Sequence, residues 1–366
     1  MITLVARSLL LLGLLTTPLC AGEPAKTAKT EAPQRAPTLA NVAYGTHERQ
    51  VLDFWRADSA RATPLVFHIH GGGWVNGDKA RVSGLERYLA AGISVVSINY
   101  RFVTQAIRAG VEPPVRWPLE DAARALQFVR SRAAEWNLDP ARVGATGGSA
   151  GACSSLWLAF NDDLADPAST DPVTRQSTRL WCAAVTGAQT TLDPAQMKAW
   201  TPNSRYGGHA FGFMPDPGDL RSRDTQFAPF LAARERLMPW IRKYSPFEHA
   251  GAGDPPIHLQ YNAPPALGQD QKDPTHTANF GVKLQERLRA SELTISGLSE
   301  NVIGEWALKL DNGVELMLGS SGLAERLGRF LALYRRVLEE RMPAPVRVDA
   351  RYQNALAVNL GDPVEA

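Results

Sequence analysis

The chain has 366 residues, 44% of them hydrophobic, enough to bury a large core as one big domain with a smaller one beside it. Lys and Arg total 39 against 37 Asp and Glu, so no excess of positive charge is available to grip a phosphate backbone or an anionic membrane. Nucleic-acid binding is disfavoured on that ground.

Residues 1–22 read as a secretory signal. Arg7 precedes an apolar run over 9–15, and the small residues Ala21 and Gly22 follow where a peptidase cuts. The run is too short to span a bilayer, so no transmembrane anchor is expected after cleavage, and a secreted or periplasmic location follows. Leu19 before Cys20 argues against lipid attachment at that cysteine. Cleavage leaves Cys153 and Cys182, both in apolar surroundings and expected as two buried thiols rather than a disulfide. Residues 23–40 are dominated by Ala, Lys, Thr, Glu and Pro at their start, with no periodic apolar face, and are expected to form a solvated linker.

From residue 41 to about 290, short apolar runs alternate with helical patterns. Strands are expected over 51–55, 65–69, 93–98 and 143–146, with a helix over 121–136 whose Ala122, Ala125, Leu126, Val129 and Ala133 recur at three and four. This order predicts an α/β fold with a doubly wound, mostly parallel sheet. After a further strand over 183–186 the sequence becomes rich in Pro, Gly, Trp and Phe until a strand over 257–261. Residues 187–250 are therefore expected as a cap or long substrate loop.

Gly147-Gly148-Ser149-Ala150-Gly151 sits between an expected strand and the apolar segment 150–160. A serine on so sharp a strand-to-helix turn points outward, and glycine two residues to either side lets strand and helix pass closely. The helix start also aims backbone N–H groups at the site. His70-Gly71-Gly72-Gly73-Trp74 follows the strand over 65–69. Side-chain-free residues there let the N–H groups of Gly71 and Gly72, with that of Ala150, approach a substrate oxygen. An isolated Gly-x-Ser-x-Gly arises by chance in a Gly-rich chain; a glycine loop after one strand and a serine elbow after a later one together point to acyl transfer.

On these residues the stretch 41–290 resembles the α/β-hydrolase esterases, close to the carbohydrate-esterase branch that includes bifunctional acetylxylan and feruloyl esterases. The matching residues also include Asn99-Tyr100-Arg101-Phe102, Pro118 with Asp121-Ala122, Asp273-Pro274-Thr275-His276, and Asn279-Phe280-Gly281. The resemblance implies a serine esterase with Ser149 as nucleophile, cleaving acetyl or aromatic acyl groups from carbohydrate, with no metal or organic cofactor. His68 and His70 fall too early for the Ser, Asp, His order of that fold, so His68 is read as a core-facing strand residue and His70 as a structural loop histidine. The acid is Asp270 or Asp273, with Asp273 preferred. His276 is the last histidine in the sequence. Three residues from Asp273 it is oddly placed for a base that the acid must orient, and the reading favours a loop histidine and hence a weak or dead esterase. Trp74, Trp200, Tyr206, His209 and Phe211 are candidates for stacking on a sugar or aromatic acyl group, with cap core as the alternative. Asp162, Asp163, Asp166 and Asp171 lack a calcium-ligand spacing and read as a solvated acidic loop.

Beyond residue 290 the pattern changes. Trp306, Leu308 and Leu310 alternate, Asp311-Asn312-Gly313 makes a turn, and Val314, Leu316 and Leu318 alternate again, a hairpin signal. Ser320 or Ser321 precedes a helix with the stripe Leu323, Leu327, Phe330, Leu331, Tyr334 and Leu338, and a final strand runs through Val346, Val348 and 355–360. Residues 291–366 are thus a small hairpin, helix and strand unit. They resemble the end of the periplasmic domain of the bacterial division protein FtsQ/DivIB, which implies a bacterial setting and an FtsB-like strand partner. The alternative function is then a non-catalytic division adaptor.

Overall fold

The computed structural model describes residues 34–251, 253–291, 295–310, 313–334, 347–352 and 355–359. The expected signal, Cys20, most of the linker, Leu338, Val346 and Leu360 lie outside them. Among the described residues no helix is long and apolar enough to cross a membrane.

The first sheet contains β1 (Leu39–Ala43), β2 (Val51–Trp55), β3 (Thr63–Ile69), β4 (Ser94–Ile98), β5 (Leu138–Gly148), β6 (Cys182–Thr186) and β7 (Ile257–Gln260). Their order is β1-β2-β4-β3-β5-β6-β7. The first two pairings are antiparallel and the rest parallel. Helices α1 (Leu85–Ala90), α2 (Val103–Arg108), α3 (Arg116–Ser131), α4 (Ala133–Trp136) and α5 (Ala150–Phe160) connect these strands. Every residue of β4 is buried, as a central strand covered on both faces requires. α3 buries Leu119, Ala122, Ala123, Ala125, Leu126 and Val129 on one face, whereas α5 is buried all round.

Two expectations about this body change, and one open alternative is decided. The expected linker gives way at β1, because the Asn41 N–H donates to Asp53 Oδ1 and the strand pairs with β2, which satisfies its backbone. The long helix starts five residues early and breaks before α4, which Asn137 ends in a left-handed conformation at φ 58°. The region 187–250 is a helical cap rather than a loop. It holds α6 (Pro194–Trp200), 3₁₀ turns at Gly208–Phe211 and Leu220–Ser222, then α7 (Phe227–Ala232), α8 (Arg234–Tyr244) and α9 (Pro246–His249). Buried Asp193 caps α6 through the Ala195 N–H and takes the Arg234 fork at 2.8 and 2.7 Å, tying α6 to α8.

Both thiols are free; Cys153 is buried, while Cys182 is only partly so. The acidic loop bonds mostly within itself, with Asp171 also paired to Arg124 of α3. Asp163 accepts from the Ala165 and Thr178 N–H groups, Asp166 from Ala168, and Asp171 from Val173. No metal-ligating cluster forms among the described residues.

After α10 (Asn279–Ser291) the chain builds a second sheet with its own core. Its strands are β8 (Ile295–Glu300), β9 (Trp306–Leu310), β10 (Glu315–Gly319), β11 (Arg347–Asp349) and β12 (Ala357–Asn359), in the order β12-β11-β10-β9-β8. The hairpin forms as expected, and α11 (Leu323–Leu333) buries Phe330 against β10 and β11 residues Leu316 and Val348. Gly322, rather than Ser320 or Ser321, stands directly before the helix. β8 has no counterpart among the expected elements, and the single final strand is two antiparallel strands. β7 is the last strand of the first sheet. A groove lined by Ile257, Leu259, Tyr261, Leu284 and Leu288 lies between it and α10.

Asp121, 1% exposed, fixes the segment after β4: it accepts from the Arg101 N–H and guanidinium and from Gln50 Nε2. Within that segment the Tyr100 hydroxyl donates to the His70 carbonyl under the glycine loop. Asp121→Ala is expected to cost about 3 kcal/mol in chemical denaturation, the low end for breaking a buried pair because Arg101 keeps some contact with water. A loss below about 1 kcal/mol would mean that this carboxylate is not what holds the segment.

Candidate active site

Ser149 stands at the turn between β5 and α5 with φ 53° and ψ −121°. For a residue with a Cβ this is a strained backbone, kept only where the surroundings impose it. The cause is close packing. A Cβ on Gly147 would lie 2.5 Å from the Ile69 carbonyl oxygen, and one on Gly151 would collide with the same oxygen. The two glycines thus let α5 pass against the end of β3. Ser149 N–H donates to the Thr186 carbonyl and its own carbonyl accepts from Cys153 N–H, which anchors the turn from both sides.

The loop between β7 and α10 brings in the partners. His276 Nε2 lies 2.9 Å from Ser149 Oγ, and Nδ1 lies 2.8 Å from Asp273 Oδ2. A carboxylate only accepts, so Nδ1 carries the ring proton and Nε2 receives the serine hydroxyl. The expectation of a loop histidine without reach is therefore corrected. Asp273 Oδ1 accepts from the Thr275 and His276 N–H groups, a local turn that curls the chain until the ring three residues on folds back over the carboxylate. Burial pushes the Asp273 carboxyl up, but the His276 hydrogen bond and charge, with the two N–H groups, outweigh it and hold it below the usual range. Asp270 contributes its carbonyl to Gln271 and plays no part in the line.

Two buried residues hold that loop. Asn279 donates to the Trp200 and Ala266 carbonyls and to Thr201 Oγ1, and accepts from the Ala266 N–H. Gln189 donates to the carbonyls of Thr275 and Gly187. The absence of a side chain at Gly187, φ 59°, leaves room for the His276 ring, since a Cβ there would be 3.3 Å from it. Sequence reasoning assigned neither amide a role; no local pattern marks a residue that acts by gripping a loop distant in sequence.

The glycine loop meets the turn directly. A Cβ on Gly71 would be 2.7 Å from the Gly148 carbonyl oxygen and 3.5 Å from Ser149 Cβ. Among the described residues the N–H groups of Gly71, Gly72, Gly73 and Ala150 donate to no backbone carbonyl, which leaves them for an incoming oxygen. The aromatic candidates are placed otherwise than expected. Trp74 and His209 are fully buried, Tyr206 and Phe211 nearly so, and Trp200 packs on Phe247 and Phe280. Trp74 is thus core of the glycine loop and Tyr206, His209 and Phe211 core of the cap, with no free face for stacking, while Trp200 is half-buried at the edge of that core. The Trp74 indole donates to Ser154 Oγ, whose hydroxyl donates to the Ala150 carbonyl, so this ring bolts the glycine loop to α5. His68 bonds Ser97 from within β3, and His70 stacks on Tyr100 at 4.3 Å, both structural.

Residues 52–212 match the BD-FAE family, and residues 258–351 match the family of the C-terminal domain of the cell division protein FtsQ/DivIB. The chain joins a BD-FAE esterase domain to an FtsQ/DivIB C-terminal domain. A stretch of 142 residues is 32% identical to Esterase LipQ of Mycobacterium tuberculosis, covering 36% of this chain and 32% of that protein. Another of 97 residues is 37% identical to FtsQ of Allochromatium vinosum, covering 26% of this chain and 38% of that protein. The chain therefore spans less than two-fifths of the length of either relative. In fold, the chain is similar to a truncated carbohydrate esterase from gut microbiota, with a TM-score of 0.51, 20% identity, and coverage of 70% of this chain and 87% of that one. The esterase match stops at residue 212, short of Asp273 and His276, which lie within the division-protein match. Their positions in space connect them with Ser149 where the family match does not.

Burial lowers both His70 and His209 from the ordinary 6.5 to about 4. The unfolded chain thus binds protons below pH 6.5 that the folded esterase domain refuses until about pH 4, so stability falls as pH falls through that window. At ~1.4 kcal/mol per pKa unit the loss is about 3 kcal/mol for each ring by pH 4. Urea midpoints at pH 7, 5.5 and 4.5 should decline; a level series would mean that these rings are not held neutral.

Proposed function

We propose that the esterase domain is a working serine carboxylesterase that removes acetyl or aromatic acyl groups from carbohydrate, and that the chain acts outside the cytoplasm. The observation that carries the catalytic reading is the His276 ring, within hydrogen-bond distance of Ser149 on one side and Asp273 on the other. This replaces the expectation of an enzyme missing its base. The substrate class rests on the BD-FAE match, and the location on residues 1–22.

In the proposed reaction Ser149 Oγ attacks the ester carbonyl carbon as its proton passes to His276 Nε2. The carbonyl oxygen becomes an oxyanion facing the N–H groups of Gly71, Gly72 and Ala150. Asp273 stabilises the imidazolium and keeps its tautomer. As the carbon–oxygen bond breaks, Nε2 returns the proton to the departing sugar hydroxyl. Water then loses a proton to Nε2 and attacks the acyl-serine; the carboxylic acid leaves and Ser149 recovers its proton.

A fluorophosphonate should label the wild-type chain and not Ser149→Ala or His276→Ala. With an acetyl ester, Asp273→Asn should lower turnover roughly a thousandfold or more, the scale on which a wrongly held histidine tautomer acts. Unlabelled, folded wild type would remove the esterase reading. Equal labelling of wild type and His276→Ala would remove His276 as base. Acetyl, butyryl and feruloyl sugar esters compared side by side test the substrate class, which fails if none is preferred over a plain alkyl ester.

A second role is proposed for β12, which is an edge strand of the second sheet among the described residues, the place where an extended segment can add to a sheet. The FtsQ/DivIB match makes a division-complex strand, FtsB-like, the proposed partner. An immobilised periplasmic segment of FtsB should retain both wild type and Ser149→Ala; failure to retain either rules this partner out.

A further inference from the structure

His209 lies on the cap's 3₁₀ turn, is wholly buried, and places Nε2 2.9 Å from the Gly73 carbonyl oxygen in the glycine loop. A carbonyl only accepts, so in the neutral ring Nε2 carries the proton and Nδ1 is a bare acceptor. Its surroundings agree. Nδ1 has no hydrogen-bond partner among the described residues, and the nearest carboxylate oxygen, Asp224 Oδ1, itself an acceptor, stands off at 3.9 Å.

The peptide that His209 grips is an unusual one. Gly72, Gly73 and Trp74 adopt φ of 101°, 62° and 57° in succession. Glycine takes these values freely, but Trp74 carries a Cβ and is strained, so the conformation depends on what surrounds it. One restraint is the Trp74 to Ser154 bond on the α5 side. Others are the Gly72 carbonyl, which accepts from the Val75 and Asn76 N–H groups, the Trp74 carbonyl, which accepts from the Val103 N–H, and the cap, where His209 fixes the Gly73 oxygen and Arg223 Nη1 lies 2.6 Å from where a Gly73 Cβ would be. Because a peptide is planar, fixing that oxygen orients the Gly73–Trp74 unit, so the loop carrying the Gly71 and Gly72 N–H groups is anchored at its far end by the cap.

We infer that His209 is a positioning residue: by donating Nε2–H to the Gly73 carbonyl, it holds the loop's N–H groups where the oxyanion of the reacting ester forms. The inference rests on the esterase reading above. It also gives the cap a part in catalysis that needs no contact with substrate, since the buried ring reaches the reacting centre only through the loop.

Donors that are misplaced harm the transition state more than the ground state. His209→Leu should therefore lower kcat on the order of a hundredfold while KM stays within about threefold. Binding of a trifluoromethyl ketone, which forms an oxyanion on Ser149, should weaken in parallel with kcat. His209→Gln, whose amide N–H reaches a similar point, should recover at least roughly tenfold of the loss. Unchanged kcat in His209→Leu, or Gln and Leu variants equally slow, would overturn the inference. Nitrogen NMR of the histidine-labelled wild type needs no variant: a proton on Nε2 of His209 is expected, and a proton on Nδ1 refutes the bond. Wild type unlabelled by a fluorophosphonate would sink the esterase reading itself, whereas labelled wild type with a fully active His209→Leu would sink only the role of His209.

Discussion

The close approach of α5 to the end of β3 is the constraint on which the site depends. Glycine at 147 and 151 permits it, and in consequence Ser149 is held in a backbone conformation that its own Cβ opposes. The same approach brings the loop that follows β3 against the Gly148–Ser149 turn and Gly151, so the proposed nucleophile and the N–H groups of the loop come from one packing event. Trp74 then joins that loop to α5 through Ser154, and Asp121 fixes the Asn99 to Arg101 segment whose Tyr100 supports the loop from below. Most polar groups this deep in the body are bonded, as burial demands; among the described residues of this body His70 Nε2, Gln189 Oε1, the Tyr206 hydroxyl and His209 Nδ1 are the exceptions.

The proposed base, His276, reaches this site by a short route. A local turn on the Asp273 carboxylate sets the His276 ring over it, and Asn279 with Gln189 locks the turn to the cap and to the segment after β6. Sequence distance is the wrong measure for such an arrangement. An acid and a base three residues apart meet the geometric demand on a triad once the intervening chain curls and a distant serine lies on the ring's far side.

The helix α10 and the strand before it fall inside the stretch that matches the division protein, yet they complete the esterase body. Phe280 and Leu284 are part of the first core, and Asn279 grips the loop that carries His276. The second sheet keeps a separate core around Leu316, Phe330 and Val348. The cores of the first body and of the second sheet are thus each closed by residues of their own part of the chain, while α10 matches one family in sequence and serves the other in packing.

The elbow at Ser149 and the glycine loop at 70–74 are written in consecutive residues, and so are the apolar runs of β2 to β6, the α5 segment and the β9–β10 hairpin. Each is a local choice of backbone conformation, and that much the sequence determined by itself, together with the α/β order of the sheet. The reach of His276 to Ser149 spans 127 positions, and tertiary structure alone decided it. The same holds for His209, whose ring could face a sugar or the back of the glycine loop with equal warrant from composition, and for β8, which a short polar-rich run does not announce. These are settled by long-range packing, where the free energy of a side chain depends on which distant groups share its burial.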